Sequence, residues 1–232
     1  VITLFTALSV KKALDDVLLH AFTKKHGVDV DVTYDPTTIL VEKIKEGAEP
    51  DVVIAVSGAF AELEALGAVT AESRVVLAKS GIGIATAPEL DDPGIGTVDA
   101  LRTALTSARS VAYSRSGASG IYFARLLEDL GIAEEVNARA TIVEKGFTAL
   151  AVTDGRADLA VQQLSELKFV PQARIVGPLP DEAQHYSELS AALGPAASAE
   201  AADLLRFLAS PEAMTAYHDA GLVTGDTSRV RA

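Results

Sequence analysis

Residues 75–87 read VVLAKSGIGIATA. The run is apolar over more than ten residues, where an ordinary strand has about 5–6, and Gly81 and Gly83 stand in its middle. Glycine inside a strand marks a bend or a close approach of another backbone. The stretch therefore reads as one strand that leaves a first lobe and enters a second, softened where it crosses. A chain that crosses must return, and YSELSAAL at 186–193, just ahead of the last two helical segments, is the expected way back. Lobe 1 is then 1–81 together with 189–232, and lobe 2 is 82–188.

Outward from that run, short β-branched stretches alternate with segments of helical period. Strands are expected at 2–6, 28–34, 51–56, 110–113, 140–143, 159–162 and 174–176. Helices are expected at about 39–46, 59–66, 98–107, 120–130, 147–153, 199–209 and 211–219. Between the first two strands, Val10, Leu14, Val17, Leu18, Ala21 and Phe22 recur at helical spacing, with Lys11, Lys12, Asp15, Asp16 and Lys24 opposite, the pattern of an amphipathic helix. Strand and helix in regular alternation predict an α/β fold with largely parallel sheets and right-handed crossovers.

Composition narrows the function. A chain of 232 residues that is 49% hydrophobic and 22% charged buries a substantial core, which excludes disorder. A formal net charge of −12 argues against nucleic-acid partners and anionic membrane surfaces, both of which need clustered Lys and Arg. The absence of cysteine removes thiolate metal sites, disulfides and cysteine nucleophiles. His20, His26, His185 and His218 have no ligand-like spacing, so no metal and no cofactor are expected. The chain opens on Val1-Ile2-Thr3, already strand-like, as a processed precursor would, and a periplasmic or other extracytoplasmic location is the expectation.

In open α/β sheets, ligands sit at the carboxyl ends of strands, where helices begin. Ser9 follows the first strand at an N-cap position, Thr37 and Thr38 follow the second, and Ser114-Arg115-Ser116-Gly117-Ala118-Ser119-Gly120 follows the fifth. Any one of these hydroxyls is by itself an ordinary N-cap. Three such sets, each at a helix start whose free amides and dipole favour negative charge, point to an anion site. Gly117 and Gly120 would let backbone approach the ligand. Tyr34, Tyr113 and Tyr186 are further candidates to line it. Gly117-Ala118-Ser119-Gly120 lacks the spacing of a nucleophile elbow, because Ile121 stands where the last glycine belongs, and no phosphate-loop pattern is present.

Leu4-Phe5-Thr6-Ala7-Leu8-Ser9 leading into a helix, Ile44-Lys45-Glu46-Gly47-Ala48-Glu49-Pro50-Asp51-Val52 after Thr38-Ile39-Leu40, and Ser119-Gly120-Ile121-Tyr122 ahead of Leu130-Gly131 resemble the periplasmic substrate-binding proteins of ABC transporters. The similarity is to the two-lobed class that includes molybdate-binding proteins. It implies a type II periplasmic-binding-protein-like fold and an oxyanion held by neutral hydroxyls and amides. Carried onto this chain, it implies first- and second-loop hydroxyls at Ser9 and at Thr38 with Thr37 beside it, and backbone donors at Ser119 and Lys145. Gln163 stands where many members have a tyrosine.

Arg115, Ser116 and Lys145 add charge and polarity that a compact oxyanion does not require, whereas a guanidinium fork matches a carboxylate. A solvated loop charge at Arg115, a surface ion pair of Lys145 with Glu144 and a buried, satisfied amide at Gln163 are the plain alternatives. The expectation is a monomeric solute-binding protein without a catalytic step that captures a small anion, either a molybdate-like oxyanion or an organic carboxylate. It would close its lobes on the anion and present it to the membrane permease of an ABC transporter. The effector-binding domain of a transcriptional regulator shares the architecture and is the alternative, and an α/β enzyme is a third reading.

Overall fold

The structure is a computed structural model that describes residues 1–224. Its strands in chain order are β1 (Ile2–Thr6), β2 (Val30–Tyr34), β3 (Val52–Val56), β4 (Val75–Thr86), β5 (Val111–Tyr113), β6 (Thr141–Ile142), β7 (Leu159–Gln163), β8 (Arg174–Pro178) and β9 (Tyr186–Leu193). The chain divides into two compact units, Gly81–Tyr186 and the remainder on either side of it. Strands β4 and β9 are the two segments in which the chain passes from one unit to the other.

In the unit built from both ends of the chain, β1 pairs in parallel with β2 and β3, and β3 pairs antiparallel with β9. Strand β3 reads VVIAV and four of its five residues are buried, as a strand covered by helices on both faces must be. Alternation divides it between two cores. Val52 and Ile54 pack with Leu4, Leu14, Leu18, Phe22, Leu204 and Tyr217, while Val53 and Ala55 pack with Val41, Phe60 and Leu63.

The first helical segment departs from the simple period. It runs as a 3-10 turn (Leu8–Val10), a short α segment (Lys11–Ala13), a π turn (Leu14–Leu18) and an α-helix (Leu19–His26) that ends at Gly27 with φ of +69°. A π turn adds a residue to the turn. The buried face therefore steps by four, through Val10, Leu14, Leu18 and Phe22, all at 0% exposure, and Val17 is carried outward to 44%. Val17 does not belong to the apolar face that a uniform 3.6-residue period assigns it.

In the second unit, β5 lies between β6 and β7, both parallel to it, and β7 and β8 pair antiparallel with β4. Ile82, Ile84, Val111, Tyr113, Phe123 and Val161 form one core, and Ala85, Ala112, Ala151, Ala160 and Leu167 the other. The glycines of β4 have packing reasons. A Cβ on Gly83 would meet Leu164 Cδ2 at 2.3 Å and the Gly177 carbonyl oxygen at 2.8 Å, and one on Gly81 would meet the Tyr186 ring at 3.0 Å. The Gln184 amide accepts from Ile82 N at 2.8 Å and donates to Ile82 O at 2.9 Å, and so closes both backbone groups of that residue.

The π turn makes a prediction about stability. Leu18→Ala should cost about 2–5 kcal/mol, as deletions in a packed core do, and Val17→Ser should stay within about 0.5 kcal/mol. Urea denaturation of both variants checks it, and comparable losses at the two positions would contradict the assigned register.

Candidate anion-binding site

In the unit holding β1–β3, register places Thr6 beside both Tyr34 and Ile54, so the loops after three parallel strands leave from one edge. Ser9 is buried at 5% exposure. It lies within the 3-10 turn rather than at its N-cap, which is Ala7 and makes no side-chain cap bond. The reason is that Ala7 stays extended, its N–H held by the Ile54 carbonyl at 2.9 Å, and the chain turns only at Leu8.

Pro36 is the N-cap of the nine-residue helix Thr37–Lys45, which makes Thr37 its first residue. Thr37 Oγ1 accepts from Val56 N at 3.1 Å, so that hydroxyl ties the helix to the end of β3. Thr38, one residue on, is exposed. Asp35 is buried at 1% and ion-paired with Lys43 Nζ at 2.6 Å, which fixes the turn beneath both threonines.

The hydroxyl that follows the third strand at this edge is not among those singled out from the sequence. Ser57 follows β3, its Oγ is 2.7 Å from Ser190 Oγ on β9, and Arg74 Nη2 donates to the Ser57 carbonyl at 3.0 Å. The signal was Ser57-Gly58 directly after an apolar strand, the same punctuation as at the other strand ends. The tyrosines do other work. Tyr34 donates to Asp15 Oδ1 at 2.5 Å under Lys11, and burial together with that carboxylate pushes its hydroxyl well above the ordinary tyrosine range. Tyr113 is buried at 2% and donates to Asn137 Oδ1 at 2.6 Å. Tyr186 is half-exposed and packs beside Gly81.

In the other unit, β5, β6 and β7 are parallel, and their carboxyl ends bring together Arg115, Ser116, Ser119, Gly120, Lys145 and Gln163. Ser114 organises the loop after β5. Its Oγ accepts from Ser116 N and Gly117 N, each at 3.3 Å, and Ser116 Oγ donates to the Glu144 carbonyl at 3.0 Å. Gly117 then caps the twelve-residue helix Ala118–Asp129 without a side-chain bond, and Ser119, buried at 4%, is its second residue. The amides of a first helical turn have no acceptor within the helix, and the dipole there favours an anion.

Gly120 corrects the reading that its bare Cα serves the ligand. A Cβ there would lie 1.5 Å from the Ser114 carbonyl oxygen, so the glycine admits the chain's own backbone. Arg115 is exposed and has no hydrogen-bond or ion-pair partner among the described residues. Lys145 is exposed in the turn after β6, and Gln163 ends β7 buried at 2%. Among the described residues no group of His, Cys, Asp and Glu could hold a metal ion, and no helix is long and apolar enough to cross a membrane. The chemistry on offer at these edges is hydroxyls, helix-start amides and, in the second unit, the cationic side chains of Arg115 and Lys145.

A family model described as "bacterial extracellular solute-binding protein" matches residues 2–223. An aconitate isomerase from Pseudomonas sp is 37% identical over 210 residues, which cover 87% of this chain and 80% of that protein. The periplasmic molybdate-binding protein of Azotobacter vinelandii has a similar structure, with TM-score 0.81 and 19% identity over 97% of this chain and all of that one. So does the PEB3 protein of Campylobacter jejuni with L-phospholactate bound, with TM-score 0.70 and 17% identity over 97% of this chain and 100% of that one. These likenesses show the fold, which is the type II periplasmic-binding-protein class.

The contact at Gly120 yields a prediction for the ligand-free protein. Gly120→Ala forces a methyl group onto a backbone oxygen and should cost about 2–4 kcal/mol, a fall in Tm of roughly 5–15 °C for a chain of this size. Scanning calorimetry without added anion checks it. An unchanged Tm combined with weakened anion binding would restore the ligand-approach reading of this glycine.

Proposed function

Because the chain belongs to the bacterial extracellular solute-binding protein family, we propose that it binds a small organic polycarboxylate and delivers it, outside the cytoplasm, to the permease of an ABC transporter. The carrying observation is Arg115. A guanidinium with no partner among the described residues, on a loop whose hydroxyls and helix-start amides already favour an anion, is a countercharge in wait for a ligand. A tetrahedral oxyanion held by neutral donors needs no such cation, whereas a carboxylate accepts two parallel N–H bonds from it. The relative named aconitate isomerase supports the same choice, since aconitate is an unsaturated tricarboxylate.

On this reading Ser119 and Gly120 offer backbone N–H groups, Ser116, Ser9, Thr37 and Thr38 supply hydroxyls or order the turns that present them, and Lys145 supplies a second positive charge. Gln163 lines the edge as an amide donor. The family match favours this role over the effector domain of a regulator.

A second reading rests on the name of that relative. An isomerase acting on aconitate would take a proton from a carbon adjoining a carboxylate and return it at the far end of the three-carbon unit, with the double bond moving between. The same cations would stabilise the charge that develops. This keeps the ligand class and adds a catalytic step. Incubation of the pure protein with cis-aconitate, followed by chromatography for the trans isomer, separates the two. Enzyme-dependent conversion establishes the catalytic reading, and binding without conversion establishes the carrier.

Arg115→Ala should weaken binding of trans-aconitate by about 2–5 kcal/mol if the guanidinium is its desolvated partner, against under about 1 kcal/mol for a ligand held by neutral donors. Ser119→Ala should leave the affinity nearly unchanged, because the contact assigned there is a main-chain N–H, and Ser119→Pro should abolish it. Titration calorimetry reads all three, with circular dichroism to establish folding. A folded Arg115→Ala variant with full affinity would contradict the carboxylate assignment.

A further inference from the structure

The turn that carries Lys145 is held by a residue outside every candidate set. Gln162 lies on β7 at 3% exposure, opposite Gly83 on β4. Its neighbours Leu159, Ala160 and Val161 are apolar, and a hydrocarbon side chain would be the simpler occupant of such a place, because a buried amide is costly unless its groups are bonded. Here they are bonded, and all to one loop. Oε1 accepts from Thr148 N at 2.8 Å and from Thr148 Oγ1 at 3.1 Å, while Nε2 donates to the Gly146 carbonyl at 2.9 Å. Thr148 is fully buried, and its one hydroxyl proton is shared between Gln162 Oε1 and the Val161 carbonyl at 3.2 Å. Gly146 makes the turn at φ of +95°, a conformation that L side chains rarely adopt.

The loop is therefore clamped on both sides of Lys145. Ser116 Oγ holds the carbonyl of Glu144, just before it, and Gln162 holds Gly146 and Thr148, just after it. The first anchor belongs to the loop of Arg115, the second to the middle of a sheet. A flexible lysine on an unanchored loop would lose much of its charge's value to entropy and screening. A clamped turn fixes the lysine's backbone, and with it the distance at which a second charge is met.

We propose that Gln162 is a positioning residue for Lys145, and that the clamp selects ligands with more than one carboxylate. The inference rests on the carboxylate reading above and deepens it. Two measurements test it. In the ligand-free protein, Gln162→Leu should raise amide hydrogen exchange across 144–148 at least about tenfold while the strand amides of β5 keep their protection. Unaltered exchange in the turn overturns the clamp whatever the ligand.

In a calorimetric cycle with trans-aconitate, Gln162→Leu and Lys145→Met should each weaken binding about tenfold, and the double variant should be no weaker than the weaker single one, because the two act through one contact. Acetate, with a single carboxylate, should be affected little by either. Losses that multiply in the double variant, or equal losses for acetate, overturn the positioning role. Where Gln162→Leu fails to fold, Gln162→Glu, which keeps the acceptor and loses the donor to Gly146, carries the same two expectations. A wild-type protein that binds no aconitate contradicts the functional reading itself, and the exchange result then decides the clamp alone.

Discussion

A chain that builds one unit from both its ends must leave that unit and re-enter it, and the two strands that do so fix everything downstream. Strand β4 is continuous for twelve residues, and β9 returns antiparallel to β3. At Ile82, in register with Gln163 on β7, the side-chain amide of Gln184 bonds both backbone groups, and the carbonyl also accepts from Leu179 N at 3.0 Å. Glycines at 81 and 83 leave room for Tyr186 and for Leu164 with the Gly177 carbonyl. With those strands in place, each unit has parallel strands whose carboxyl ends lie at one edge of its own sheet, and on the proposed reading the helix starts that follow are where an anion would be met.

The hydroxyls at those ends are used first by the protein. Thr37 receives the Val56 amide, Ser114 receives two amides of its own loop, Ser57 meets Ser190, and Ser116 holds Glu144. Each bond removes a group that would otherwise compete for water, and stiffens the turn that presents main-chain donors. On the proposed reading the consequence is a division of labour: short polar side chains set the geometry, main-chain N–H groups would recognise negative charge, and long cationic side chains would choose among anions. Neutral donors alone do not distinguish a sulfate-sized oxyanion from a carboxylate as sharply as a guanidinium does, which is why Arg115 carries more of the ligand assignment than the hydroxyls around it.

Much of this was legible in the sequence where the cause is local. An apolar run too long for an ordinary strand announces β4, and serine or threonine directly after a β-branched stretch announces the loops at the sheet edge. What was not legible depends on contacts distant in sequence. The Ser57–Ser190 contact spans 133 positions and the Arg74–Ser190 bond 116, so no window along the chain contains either pair. Gly120 suggested a ligand, because the steric demand of the Ser114 carbonyl appears only when strand end and helix start are folded together. Gln162 carries no signal in the sequence, because its partners Thr148 and Gly146 stand 14 and 16 positions before it. Val17 failed for another reason, since a period of 3.6 was assumed through a turn that is wider.

The central claim is the chemical class of the ligand, and direct competition reads it best. The protein would be titrated by calorimetry with trans-aconitate and with molybdate in the same buffer and salt, each alone and then in the presence of the other. Saturable binding of the tricarboxylate that molybdate neither matches nor displaces is the predicted result. Tight binding of molybdate with no heat from the tricarboxylate would return the site to neutral-donor oxyanion recognition and contradict the account.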